Sequence, residues 1–114
     1  MKSERIDLPK GALELLILRS LARRTAHGYG LLSSIRERSA AALEVEEGSL
    51  YPALHRMEAH GWIEAEWGVS DSGRRAKYYS LTDDGRARLK TARRSWERMT
   101  GAMDLVLRGG RAGA

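Results

Sequence analysis

Residues 46–67 read EEGSLYPALHRMEAHGWIEAEW, and this stretch decides the fold. Leu50, Leu54 and Met57 recur at helical spacing, so they form the buried stripe of a helix expected over residues 48–60. Ser49 is expected as its N-cap, which puts Pro52 in the first turn, where a missing N–H is tolerated. Glu46 and Glu47 just ahead suit the positive end of the helix dipole. Gly61 supplies the left-handed residue that ends such a helix. From Trp62 to Trp67 the pattern changes to alternation, with Ile63, Ala65 and Trp67 on one side and Trp62, Glu64 and Glu66 on the other, which is a strand. Residues 68–73 (GVSDSG) form a turn cluster, and residues 76–81 (AKYYSL) read as the returning strand. The result is a helix followed by a β-hairpin that carries Arg74 and Arg75 near its tip.

Upstream, a first helix is expected over residues 9–23, with Pro9 in its first turn. Its apolar residues, among them Leu13, Leu15, Leu16, Ile17, Leu18 and Leu21, cover more than one face, so it is buried on more than one side. A second helix is expected over residues 28–39, with Tyr29, Leu32 and Ile35 as its repeat and Arg36, Glu37 and Arg38 on the wet side. Residues 40–45 are read as an extended connector. Downstream, Thr82 caps a fourth helix whose first turn holds Asp83 and Asp84. Leu89, Ala92, Trp96, Met99, Met103 and Val106 then follow at intervals of 3, 4, 3, 4 and 3, a heptad seam. Such a seam packs either on the protein's own core or on a partner helix. The second is favoured, because three helices and a hairpin already close a unit, and Leu13 and Leu16 of the first helix are expected to join the contact. Residues 1–8 and 109–114 lack periodicity and are expected to be flexible.

The chain has 114 residues, one domain's worth, and no cysteine, which excludes disulfide scaffolds, thiolate zinc sites and cysteine catalysis. Its longest apolar run, Leu15 to Leu18, has four residues, far short of the ~20 that span a membrane. Charges break up the start, so no secretory leader is expected, and the expected location is the cytoplasm. The formal net charge of +5 favours a polyanionic partner. Residues 1–67 carry 9 basic and 10 acidic side chains, whereas residues 85–114 carry 8 and 2, so the excess lies at the C-terminus. An enzyme is not expected. His27 reads as a helix-boundary or core residue. His55 and His60 are five residues apart, off a shared helical face, and make a poor metal grip, and no glycine-rich phosphate loop is present. No cofactor and no metal are expected.

Three short helices, a hairpin and a further helix are the plan of a winged helix-turn-helix: mainly α, with a small β element (α+β). One helix of such a unit enters the major groove, and the hairpin lies along the adjacent backbone. On the third helix Pro52, His55, Arg56 and Ala59 lie opposite the buried stripe, with Ser49 and Tyr51 on its shoulders. Arg56 suits guanine or phosphate, His55 either, and Ser49 and Tyr51 phosphate. Each of these could equally be a solvated surface residue. With a single arginine on that helix and Glu46, Glu47 and Glu58 nearby, non-specific affinity should be modest and lean on the wing and on bivalency. The rival reading is a winged helix that binds protein and no nucleic acid. A membrane-surface role for the basic last helix is disfavoured by its narrow seam.

The segments HGYGLLSSI (27–35), LEVEEGSLYPALHRMEAHGWIEAEW (43–67) and RRAKYYSLTDDGRARL (74–89) resemble the PadR-type transcriptional regulators. The resemblance spans about residues 8–103 and is most specific at 48–54 and 78–82. The single C-terminal helix is similar to the small subgroup of that family. The resemblance implies a winged-helix DNA-binding domain over residues 9–82, a C-terminal dimerisation helix over 83–108, and a homodimeric repressor acting on inverted-repeat operators. It places Ser49, Tyr51, Pro52, His55 and Arg56 on the recognition helix and Arg74, Arg75, Lys77 and Tyr78 on the wing, with Lys10 as an added phosphate contact. It also implies a small aromatic effector held at the dimer axis, against which Trp96 would stack. The plainer role for Trp96, that of a bulky seam residue, is the stronger one.

Overall fold

The structure, a computed structural model, describes residues 7–109. The expectations for residues 1–6 and 110–114 lie outside the described residues. The helix at the centre of the fold, α3, runs Glu47–Ala59. Its inner face, Leu50, Ala53, Leu54 and Met57, is wholly buried. Against it pack Ile17, Leu18 and Leu21 of α1 (Ala12–Arg23) and Leu31 and Ile35 of α2 (Gly28–Arg38). Ile63 of β2 (Ile63–Val69) and Tyr79 and Leu81 of β3 (Arg75–Leu81) close the core from below. A final helix, α4 (Asp83–Leu107), leaves this head as a long arm.

Two helix starts differ from the sequence expectation. The first helix begins at Ala12, not Pro9. Gly11 stands at its N-cap with φ 86°, a left-handed conformation through which a helix does not continue. Residues 9–11 instead form a turn closed by the Ala12 amide donating to the Pro9 carbonyl at 3.0 Å. The third helix begins at Glu47 with Glu46 at its N-cap, so Ser49 is not the cap. The amides of Ser49 and Leu50 both donate to the Glu46 carbonyl, at 2.9 and 3.0 Å. Pro52 therefore falls in the second turn. It leaves the Gly48 carbonyl without its helical donor, which is tolerated because Gly48 is exposed to water. The far end closes as expected: Gly61 takes φ 79°, and the Trp62 amide donates back to the Met57 carbonyl at 3.1 Å.

The stripe of α2 also shifts by one position. Gly28, Leu31 and Ile35 are buried, whereas Tyr29 is 71% exposed. The connector after α2 is not extended at its start. Ala40 and Ala41 take φ 54° and 66°, and Ser39 Oγ accepts from the Leu43 amide at 2.9 Å, so the chain turns sharply before Val45 joins the core edge.

The sheet has three strands, not two. A two-residue strand, β1 (Ala26–His27), pairs antiparallel with β3, giving the order β1-β3-β2. The hairpin strands are longer than the alternation indicated. Gly68 lies inside β2, opposite Ala76, where a Cβ would stand only 3.0 Å from the Tyr78 ring.

Thr82 ties the hairpin to both neighbouring helices. Its Oγ1 accepts from the Gly85 amide at 3.0 Å as the expected cap of α4, and donates to the Gly61 carbonyl at 2.6 Å. The Thr82 amide donates to the Trp62 carbonyl at 3.1 Å. Gly85 is buried so closely on this corner that a Cβ there would overlap the Trp62 carbonyl oxygen. The first half of α4 then packs along α1, with Leu89 against the core, while Met99, Met103, Leu105, Val106 and Leu107 are exposed. No described helix is long and apolar enough to cross a membrane. Because the obstacle at Gly85 is backbone, Gly85→Ala is expected to cost about 1–3 kcal/mol as an overpacked site. Thermal unfolding should report a fall of roughly 5–20 °C; an unchanged melting temperature would contradict the close approach of α4 to the corner.

Candidate nucleic-acid interface

With its inner face locked, α3 turns Ser49, Tyr51, Pro52, His55, Arg56 and Ala59 outward, and all are exposed. Arg74 and Arg75 are exposed on the hairpin, Lys77 and Tyr78 are half-buried, and Lys10 is exposed in the turn before α1. These residues fall into separate places. Tyr51, Arg74, Arg75 and Lys77 share a groove of about 780 Å³ between the start of α3 and the wing. Lys10, Ser49 and Arg56 line a second hollow, of about 730 Å³, with Glu14, Glu44 and Arg88. Pro52 and His55 are exposed and line neither.

Register explains the division on the wing. Trp67 pairs with Lys77 and Val69 with Arg75, so these four project from the face of the sheet that carries Ile63 and Tyr79. Beyond the core this face overhangs into the groove. Tyr78 projects from the opposite face, where its ring lies 5.2 Å from the His27 ring and its hydroxyl donates to the Val69 carbonyl at 3.3 Å. The wing turn itself is closed by Ser70 and Gly73, with Gly73 at φ 82°.

Several cations are already engaged. Arg56 Nε stands 3.5 Å from Glu14 Oε2, and Lys77 Nζ stands 3.5 Å from Glu58 Oε1. The Arg75 guanidinium lies 4.3 Å over the Trp67 ring, a contact that holds both side chains in the groove. Lys77 also stands 5.8 Å over the Tyr79 ring. Burial, then the Glu58 carboxylate and Tyr51, push the Tyr79 phenol above its ordinary pKa, so it stays neutral. Tyr51 is half-exposed and packs against Gly28, where a Cβ would overlap its hydroxyl and ring. His27, as expected, stands at a helix boundary: its Nδ1 accepts from the Gly30 amide at 2.9 Å and caps α2.

Sequence reasoning misses two exposed aromatics beside the groove. The apolar spacing puts Tyr29 in a buried repeat, and the alternation marks Trp67, 57% exposed, only as a strand residue. A charge count along the chain also hides a cluster. Arg19, Arg23 and Arg24 at the end of α1 meet Arg38 at the end of α2, and the crowding lowers the Arg23 pKa, with Arg38 the largest cause. Among the residues named for the seam, Leu13, Leu16, Leu89, Ala92 and Trp96 are half-buried, and Met99, Met103 and Val106 are exposed. Trp96 lines a cleft of about 330 Å³ between α1 and α4 with Lys10, Leu15, Arg88 and Met99. Among the described residues, no three His, Cys, Asp or Glu side chains are grouped to hold a metal.

Three helices, a three-stranded wing and an outward helix face beside a basic groove define a winged-helix regulator. The chain belongs to the PadR-like family of transcriptional regulators, which it matches over residues 17–91. It is 38% identical over 93 residues to a transcriptional regulator of Mycobacterium tuberculosis, covering 82% of this chain and 83% of that protein. A solved PadR family transcription regulator of Clostridium difficile superposes with a TM-score of 0.74 at 31% identity, covering 85% of this chain and 99% of that one. A PadR-like transcriptional regulator of Bacillus cereus gives 0.73 at 33% identity, covering 86% and 93%. The family consists of DNA-binding regulators, and this protein is accordingly not an enzyme.

Proposed function

We propose that this protein is a cytoplasmic homodimeric repressor. Its winged head, residues 9–82, would bind an inverted-repeat operator, and its tail helix, residues 83–108, would join the two copies. The observation that carries this reading is the open seam of α4. Met103 and Val106 are 51% and 79% exposed at heptad positions, on a helix that leaves the head after packing only its first half along α1. A second copy would cover this surface, with Leu13, Leu16, Leu89, Ala92, Trp96 and Met99 extending the contact. Each head would then present Ser49, Tyr51, Pro52, His55 and Arg56 to a major groove. Arg74, Arg75, Lys77 and Tyr78 on the wing, and Lys10 at the start of α1, would take backbone contacts. The cleft beside Trp96 would hold a small aromatic effector that releases the DNA.

Placing charge in the seam, as in Met103→Asp with Val106→Asp, should give a folded monomer by light scattering at micromolar concentration and weaken operator binding by at least tenfold. A variant that stays dimeric refutes the tail contact. Selection from a random duplex library should return paired half-sites about 10 base pairs apart, or a multiple of that. Arg74→Ala with Arg75→Ala should weaken binding to all duplexes alike and lower the slope of log K against log salt by roughly 0.9 for each phosphate no longer neutralised. Wild-type affinity in that variant, or no binding to any duplex by the parent protein, would favour a protein-binding module instead. Titration with flat aromatic compounds should quench tryptophan emission in the parent protein and not in Trp96→Leu; equal quenching in both removes Trp96 as the platform.

A further inference from the structure

We infer that Glu14, on α1 and outside both α3 and the wing, is a positioning residue that sets the base preference of Arg56. The inference rests on the reading of Arg56 as a DNA contact and adds a determinant of specificity to it. Arg56 is the only lysine or arginine in α3, so discrimination through a guanidinium depends on where this one side chain points. A free arginine carries about 2 kcal/mol of rotamer entropy, which dilutes any directional contact. Here the closest approach is from Nε to Glu14 Oε2, at 3.5 Å. That contact uses the inner edge of the guanidinium. The two terminal nitrogens, which pair with guanine O6 and N7, are not the atoms of that closest approach.

Both ends of the pair stand on fixed backbone. Glu14 lies in the first turn of α1, where the helix dipole favours its charge, one turn before the buried Ile17 and Leu18. Arg56 precedes Met57, which is wholly buried. The Glu14 side chain is only 24% exposed, whereas Arg56 is 59% exposed, so the carboxylate is seated and the guanidinium reaches outward from it. Glu44, in the same hollow, is paired instead with Arg36 at 3.5 Å. The carboxylate thus biases the direction of Arg56 before DNA arrives, which reduces the ordering needed on binding.

The test compares base preference and random-duplex affinity in Glu14→Gln, Glu14→Asp and Arg56→Ala, singly and combined. Glu14→Asp keeps the charge but withdraws the carboxylate by about 1.5 Å, one C–C bond. Both Glu14 variants should flatten, by up to about fivefold, the preference at the base pair whose identity Arg56→Ala also flattens. Random-duplex affinity should hold or rise in Glu14→Gln. Neither Glu14 change should alter preference further in the Arg56→Ala background. The inference is overturned if Glu14→Gln strengthens operator and random duplex equally with preference intact, or if its effect persists without Arg56. Arg56→Ala with unchanged preference would instead refute the reading of Arg56 itself. Should Glu14→Gln fail to fold, Glu14→Asp carries the comparison alone.

Discussion

Burial of one face of α3 is the constraint from which the rest of the molecule follows. Leu50, Ala53, Leu54 and Met57 fill the space between α1, α2 and the sheet. Close-packed interiors admit little rotation, because a helix turned by one residue would place Tyr51 or Glu58 where Leu50 or Met57 now sit. The outward face is therefore fixed by the inward one. Residues 49, 51, 52, 55 and 56 face outward because their neighbours on the wheel are held. The αL residue at Gly61 and the backbone bond from Trp62 to Met57 then turn the chain directly into β2, which places the wing beside the start of the same helix.

The charges divide along the same lines. On the head, cations near the groove have local partners: Glu14 for Arg56, Glu58 for Lys77 and the Trp67 ring for Arg75. Half-exposed pairs of this kind contribute little to folding free energy, on the order of 1 kcal/mol or less. Their effect is to favour one direction for flexible side chains. On the tail, the Arg93–Glu97 and Arg108–Asp104 pairs are ordinary i,i+4 contacts on a solvated helix. The apolar residues between them are what distinguish that helix, because they form an exposed seam whose spacing suits another helix.

Much of this is legible in the residues. The Leu50, Leu54, Met57 stripe, the Gly61 stop, the alternation from Trp62 and the Thr82 cap each rest on a local rule that the tertiary structure does not oppose. What escapes has non-local causes. β1 is two residues long and exists only because β3 lies beside it, so no alternation could reveal it. The cap of α3 moves from Ser49 to Glu46, since an exposed Gly48 and a charge suited to the dipole let the helix begin earlier. Tyr29 falls in the wrong stripe because Gly28, having no side chain, leaves no apolar mark at the position that is buried. The meeting of Arg23 with Arg38 depends on how two helices end, which a count along the chain does not record. Of the candidate interface, the residue types are readable. Which of Lys77 and Tyr78 shares the sheet face of Trp67 and Val69 needs the register.

The corner at Thr82 and Gly85 has a mechanical consequence. Three hydrogen bonds and a glycine pressed against the Trp62 carbonyl leave no hinge between the wing and α4. The last helix, about 37 Å long at 1.5 Å per residue, is thus a stiff lever welded to the strand that follows the wing turn. Any tilt imposed far out along that lever would be transmitted to the wing as a rotation of the whole head, with no slack in between to absorb it.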